Sequence, residues 1–185
     1  MSEFTIHTVE SAPEASKGAL AELEQNVGFI PNLAATLAAS PTAMQSFASV
    51  QSSLPGSSLT PVEREVVGLA VSYANTCEYS MAAHSTFAAA QGAPADVVAA
   101  LRAGAELPDG RLEALRAFTT ELLRERGRVS DQALDVLLQA GYSTENVLEV
   151  ITQTAYTMLA NLVANLAETP VDQAFEPQTW AAAAA

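Results

Sequence analysis

The segment VSYANTCEYSMAAHSTF, residues 71–87, holds the chain's single cysteine, Cys77, followed by Ser80 and His84. At i, i+3 and i+7 these three share one face of a helix. With Asn75 or Thr76 as N-cap, Cys77 falls in the first turn, where unpaired N–H groups and the helix dipole favour an anion. The thiolate is the nucleophilic form of cysteine, so this placement predicts a lowered pKa and reactivity near neutral pH. Glu65 lies ten residues before Asn75 and His84 nine after it. In an antiparallel helix pair rising ~1.5 Å per residue, the two side chains reach nearly the same level. A carboxylate beside an imidazole orients the ring and raises its basicity. Acid, histidine and a thiol or hydroxyl then form a proton relay feeding a nucleophile. Plainer readings stand beside this one. A lone cysteine in a helical protein is commonly a small buried hydrophobe, a lone histidine a satisfied polar residue, and Glu65 a partner for Arg64.

Helices must position this set, and the sequence predicts little else. Alanine, leucine and glutamate dominate, breakers recur at regular intervals, and no segment has a convincing strand period. The pattern predicts helices over 13–25, from Pro31 to about Ala39, from Ser40-Pro41 to Ser53, and over 61–74. The last of these opens with a capping box, Thr60 as N-cap, Pro61 at N1 and Glu63 at N3. Further helices are expected over 77–91, between Pro94 and Gly104, over 111–126, from Ser130 to Ala140, and from Ser143 or Thr144 to about Ala167. Leu112, Leu115, Phe118 and Leu122 form one apolar stripe. SLTPVEREVVGLAV and GYSTENVLEVITQT share a turn, hydroxyl cap, acid and apolar helix, consistent with two related half-units around one core. Tyr79 either lines a pocket or packs. On the last helix, beyond Tyr156, Asn161 and Asn165 could donate into a site or to a neighbouring subunit. His7 has no obvious partner, Asp131, Asp135 and Glu145 read as solvated, and Trp180 as an anchor for the tail. The closing AAAAA is low-complexity and expected to fray.

The 185 residues, 49% hydrophobic and 16% charged, suit one domain, 1–185, with N-terminal helices 13–53, a central region 58–104 and C-terminal helices 109–168 plus a tail. A net charge of −13 repels nucleic-acid phosphates and anionic lipid, so neither nucleic acid nor membrane is an expected partner. One cysteine cannot close an internal disulfide. MSEFTIHTVE lacks the basic and apolar regions of a signal peptide, and apolar stretches are interrupted before a membrane-spanning length. A cytoplasmic protein is expected. No phosphate-binding glycine loop, dinucleotide fingerprint or zinc-type cluster occurs, so no cofactor or metal is expected.

EREVVGLAVSYANTCEYSMAAH resembles the core of the alkylhydroperoxidase AhpD-like proteins, within the carboxymuconolactone decarboxylase superfamily. The family pattern is Glu followed by C-x-x-C-x-x-x-H, and Glu65, Cys77, Ser80 and His84 stand at the matching positions. VGFIPNLAATLAASP and NLVANLAETPVDQAFEPQTW resemble flanks of the longer, peroxidase-related branch, so the resemblance spans about Val27 to Trp180. It implies an all-α AhpD-like fold and a homo-oligomer: trimer, hexamer or dimer. It also implies reduction of small organic hydroperoxides. The cysteine nearer the histidine attacks the peroxide, the other resolves the sulfenic acid as a disulfide, and Glu and His relay protons. A lipoyl or thioredoxin-like dithiol protein then acts as reductant.

Ser80 occupies the attacking position. A hydroxyl is far less acidic than a thiol and cannot form a sulfenic acid, so the chain as it stands should not run that cycle. Three readings follow. Ser80 is a silencing Cys→Ser change in an otherwise intact motif; or the chain is a natural single-cysteine variant with another task; or it resembles the decarboxylase side, a cofactor-free lyase using Glu65 and His84 as acid and base. A non-catalytic oligomeric binding module is the alternative from another class.

Overall fold

The computed structural model describes residues 3–181. Nine α-helices follow in chain order among them: α1 Glu14–Val27, α2 Asn32–Leu37, α3 Pro41–Ser53, α4 Pro61–Ala74, α5 Glu78–Ala90, α6 Ala95–Ala103, α7 Gly110–Arg124, α8 Asp131–Gln139 and α9 Thr144–Ala167. Short 3-10 turns cover Leu54–Gly56 and Glu176–Gln178, and no strand occurs among the described residues. The all-α expectation holds. Of the closing alanines, 182–185 lie outside the described residues.

Local chemistry accounts for the boundaries. The Ser40, Asp109 and Ser130 side chains accept from the third backbone N–H of their helices, and Thr60 and Ser143 close full capping boxes with Glu63 and Asn146. Two ends differ from expectation. Helix α2 stops at Leu37, not Ala39, because Pro41 holds Ser40 in the extended conformation that caps α3. Helix α7 stops at Arg124, and Arg126 adopts a left-handed φ of 54°.

Buried side chains form two clusters where one core was expected. The first joins α1, α2 and α3 to α9 and one side of α5, through Leu20, Leu37, Met44, Phe47, Cys77 and Ala160. The second joins α4, α6, α7 and α8 to the other side of α5 and the start of α9, through Val67, Leu69, Met81, Leu101, Phe118, Leu137 and Val150. Helix α5 serves both clusters because its alanines, Ala82, Ala83 and Ala88, let neighbours approach it from either side.

Helix α9 also departs from expectation, being long and apolar enough by length and composition to cross a membrane. One face of it, with buried Gln153, Thr157 and Asn161, packs on α2, α3, α4 and α5.

Candidate functional site

The α4–α5 connection sets the geometry. The Thr76 N–H donates to Tyr73 O and the Cys77 N–H to Ser72 O, the paired bonds of a Schellman C-cap. Glycine usually fills the left-handed position of that motif. Here it is Thr76, with φ 48°, a strained state for a β-branched residue. The turn is braced from α9. Asn75 Nδ2 donates to Asn161 Oδ1 at 2.9 Å, and Asn165 Nδ2 donates to Asn75 O at 2.9 Å. The two asparagines therefore hold this turn, where a role in a site or at a subunit contact was expected.

The tight hairpin brings Glu65 and His84 together as their spacing predicted. His84 Nδ1 lies 2.7 Å from Glu65 Oε2, both side chains mostly buried. A carboxylate only accepts, so Nδ1 carries the proton of this contact. Arg64 is not the partner of Glu65; it donates to Leu59 O.

Gly68, one turn after Glu65, makes this contact possible. A Cβ there would lie 2.6 Å from both Cε1 and Nδ1 of His84. A glycine inside a helix costs about 1 kcal/mol relative to alanine, and close approach of the imidazole is its compensation. Gly68→Ala should displace the ring and break the Glu65 contact. Overpacking of this kind costs ~1–3 kcal/mol, a fall of several degrees in Tm for a chain of this size. Thermal unfolding together with the His84 ring NMR signals checks it; an unmoved Tm and an unchanged imidazole spectrum would show that the space is not tight.

Cys77 corrects the expectation of an activated thiol. It is the N-cap residue of α5, one position before the first turn, and it is fully buried in the first apolar cluster. Burial raises its pKa above the ordinary thiol value; contacts from the Ser80 hydroxyl and the first-turn N–H groups oppose this without reversing it. Ser80 faces differently. With His84 it lines a cavity of about 80 Å³ walled by Leu33, Phe47, Ala83, Phe87, Tyr156 and Phe175, among others. The position nearer the histidine thus meets the cavity, and the cysteine lies behind it.

The C-terminal tail completes the wall. Tyr79 Oη donates to Asp172 Oδ2 at 2.5 Å, and that carboxylate also accepts the Asn32 N–H, so the tail and the start of α2 are tied to the first turn of α5. Burial raises the Asp172 pKa and, with the adjacent carboxylate, that of the Tyr79 phenol. Tyr79 therefore both packs and lines the cavity. Arg102 donates to Gln178 O and Thr179 O, and Trp180 Nε1 donates to Arg102 O, the tail anchor expected of Trp180. Phe175 sits edge-on to Phe87, with ring centroids 5.4 Å apart. His7 has a local partner after all, Ser11. Asp131, Asp135 and Glu145 are exposed. Gly68, Phe87, Asp172 and Phe175 went unread in the sequence. Only Gly68, a glycine inside an apolar helix, and Phe87, one turn beyond His84, carry a local signal.

Among the described residues no three His, Cys, Asp or Glu side chains are grouped to hold a metal. His84, held by Glu65, and Ser80, in contact with the buried Cys77 thiol, thus line one apolar cavity in an all-helical fold, an arrangement chemically able to move a proton. Residues 38–121, which contain Glu65, Cys77, Ser80 and His84, match the model of the carboxymuconolactone decarboxylase family. The fold is similar to that of a peroxidase-related protein from Ralstonia eutropha JMP134 with an alkylhydroperoxidase AhpD core (24% identity, TM-score 0.82, 94% of each chain covered). It is also similar to a peroxidase-related protein from Silicibacter sp. TM1040 (19% identity, TM-score 0.80, covering 95% of this chain and 93% of that one). A further similar structure is the debrominase Bmp8 in complex with 2,3,4-tribromopyrrole (18% identity, TM-score 0.76, covering 96% of this chain and 97% of that one). A search of curated protein sequences returns no match. The family match covers the central part of the chain, and the chain as a whole shares the fold of these AhpD-like structures.

Proposed function

We propose that the site is built for thiol-dependent reduction of small organic hydroperoxides, with Ser80 in the place of the attacking cysteine. The observation that carries this reading is the division of positions 77 and 80: residue 80 meets the cavity beside His84, while Cys77 lies behind it in contact with the Ser80 side chain. In the complete cycle the Glu65–His84 pair takes the proton of a thiol at position 80, and the resulting thiolate attacks the outer peroxide oxygen. The O–O bond breaks, the alkoxide takes a proton from the Glu65–His84 pair, and a sulfenic acid remains. The Cys77 thiolate then attacks that sulfur and releases water, forming a disulfide, which a lipoyl or thioredoxin-like dithiol protein reduces. With serine at position 80 the first step is absent. The test is a paired count of free thiols and peroxide consumed, in this chain and in Ser80→Cys.

One observation favours a second reading. The Glu65–His84 contact is complete without any thiol, which suits a cofactor-free lyase acting on a small lactone carboxylate. Turnover of such an acid by the unaltered chain would support it. No turnover by either chain would point to a non-catalytic module. A reducing, cytoplasmic compartment fits the free thiol of Cys77.

The homo-oligomer remains part of this proposal. Leu148, Ile151, Ala155, Leu162 and Leu166 are all exposed on α9, and at 100° per residue they fall within a ~60° arc. An apolar stripe this long suits the matching face of a second copy. Light scattering should give a multiple of 19.3 kDa, and Leu162→Glu with Leu166→Glu should reduce it to a single chain. A monomeric unaltered chain would refute the assignment.

A further inference from the structure

Most polar groups on the cavity wall already have partners. The Ser80 hydroxyl contacts Cys77, Tyr79 Oη is bound to Asp172, and His84 Nδ1 to Glu65. Tyr156 is different. Its ring is fixed by stacking on Phe47, with centroids 4.7 Å apart and planes 26° from parallel. Its O–H has no hydrogen-bond partner among the described residues. Its oxygen is not among the fully buried polar atoms that lack a partner, so a phenol on the cavity wall is left accessible and able to donate to what occupies the cavity. The Glu65 carboxylate lies close enough to disfavour ionisation of the phenol, so the hydroxyl stays a donor.

We propose that Tyr156 is a substrate-binding residue, its O–H donating to an acceptor oxygen on a compact, branched aliphatic ligand whose alkyl group packs against Phe47, Phe87 and Phe175. The cavity selects size. At about 80 Å³ it suits a compact ligand, and a tert-butyl hydroperoxide is smaller than a hydroperoxide that carries an aryl group as well. Naming a hydroperoxide as the natural ligand rests on the function proposed above; the donor role of Tyr156 does not.

The probe is tert-butyl alcohol, the reduced form of tert-butyl hydroperoxide, titrated into this chain and into Tyr156→Phe while the methyl NMR signals of the cavity are followed. Phenylalanine keeps the ring and its stacking on Phe47. The alcohol should bind Tyr156→Phe about 3- to 10-fold more weakly, the weight of one neutral hydrogen bond. Neopentane, with a methyl in place of the hydroxyl, should bind both chains equally. Equal affinity of the two chains for the alcohol, or no saturable binding to the unaltered chain, overturns the proposal. The alcohol has no O–O bond, so the result is independent of thiol chemistry. Failure of Ser80→Cys to consume peroxide would sink the peroxidase reading and leave Tyr156 in its role, and a null alcohol result would do the reverse.

Discussion

Ser80→Cys should consume one equivalent of tert-butyl hydroperoxide per chain and lose both thiols within that chain, while the unaltered protein does neither. The expected gain over a free thiol in solution is about 100-fold or more, the usual contribution of a positioned acid–base pair. The geometry supplies the reasons. Position 80 opens on the cavity, one helical turn before His84, whose Nδ1 is already held by Glu65. A thiolate there would meet the peroxide with a proton source at hand for the leaving alkoxide. The second step should be slower, because Cys77 is fully buried and burial holds its pKa above the ordinary thiol value. A raised pKa leaves less thiolate at any given pH. Disulfide closure should therefore accelerate about tenfold per pH unit up to the Cys77 pKa, while peroxide attack, governed by the other thiol, should not follow the same curve. Stopped-flow peroxide loss beside timed thiol counts separates the two phases. A Ser80→Cys protein no faster than a free thiol would end the peroxidase reading.

What the sequence revealed and what it hid divide along the range of the forces involved. Helix ends governed by a neighbouring cap were legible: Thr60, Ser130 and Ser143 act where their residue types predict. The level of Glu65 against His84 was legible too, because a short turn between two helices leaves one register. The state of Cys77 was not. First-turn placement predicted a stabilised anion, yet the chain begins α5 one residue later and packs the thiol into an apolar cluster assembled from α1, α2, α3 and α9. Desolvation by residues distant in sequence overcame the local dipole. Asn161 and Asn165 were misread for a related reason: their spacing gave the shared face, but only the fold supplied the Asn75 turn that the face meets. The Asp172 tie to Tyr79 spans half the chain and leaves no local trace.

The pair at the cavity floor permits a sharper test of how the site works. Glu65→Gln, made in the Ser80→Cys protein, should lower peroxide consumption about 100-fold while moving Tm by no more than a few degrees. Glutamine is the same shape, and its Oε1 can still accept from His84 Nδ1. What disappears is the negative charge that stabilises an imidazolium as it forms, which matters only in a step that moves a proton. Gly68→Ala in the same background makes the complementary change, keeping the carboxylate but pushing the imidazole away from it. Charge without contact and contact without charge should fail alike if His84 relays the proton through this hydrogen bond. Full activity in Glu65→Gln would show instead that the carboxylate merely fixes the ring. A loss in Glu65→Gln with none in Gly68→Ala would assign proton transfer to Glu65 directly, with His84 as part of the wall.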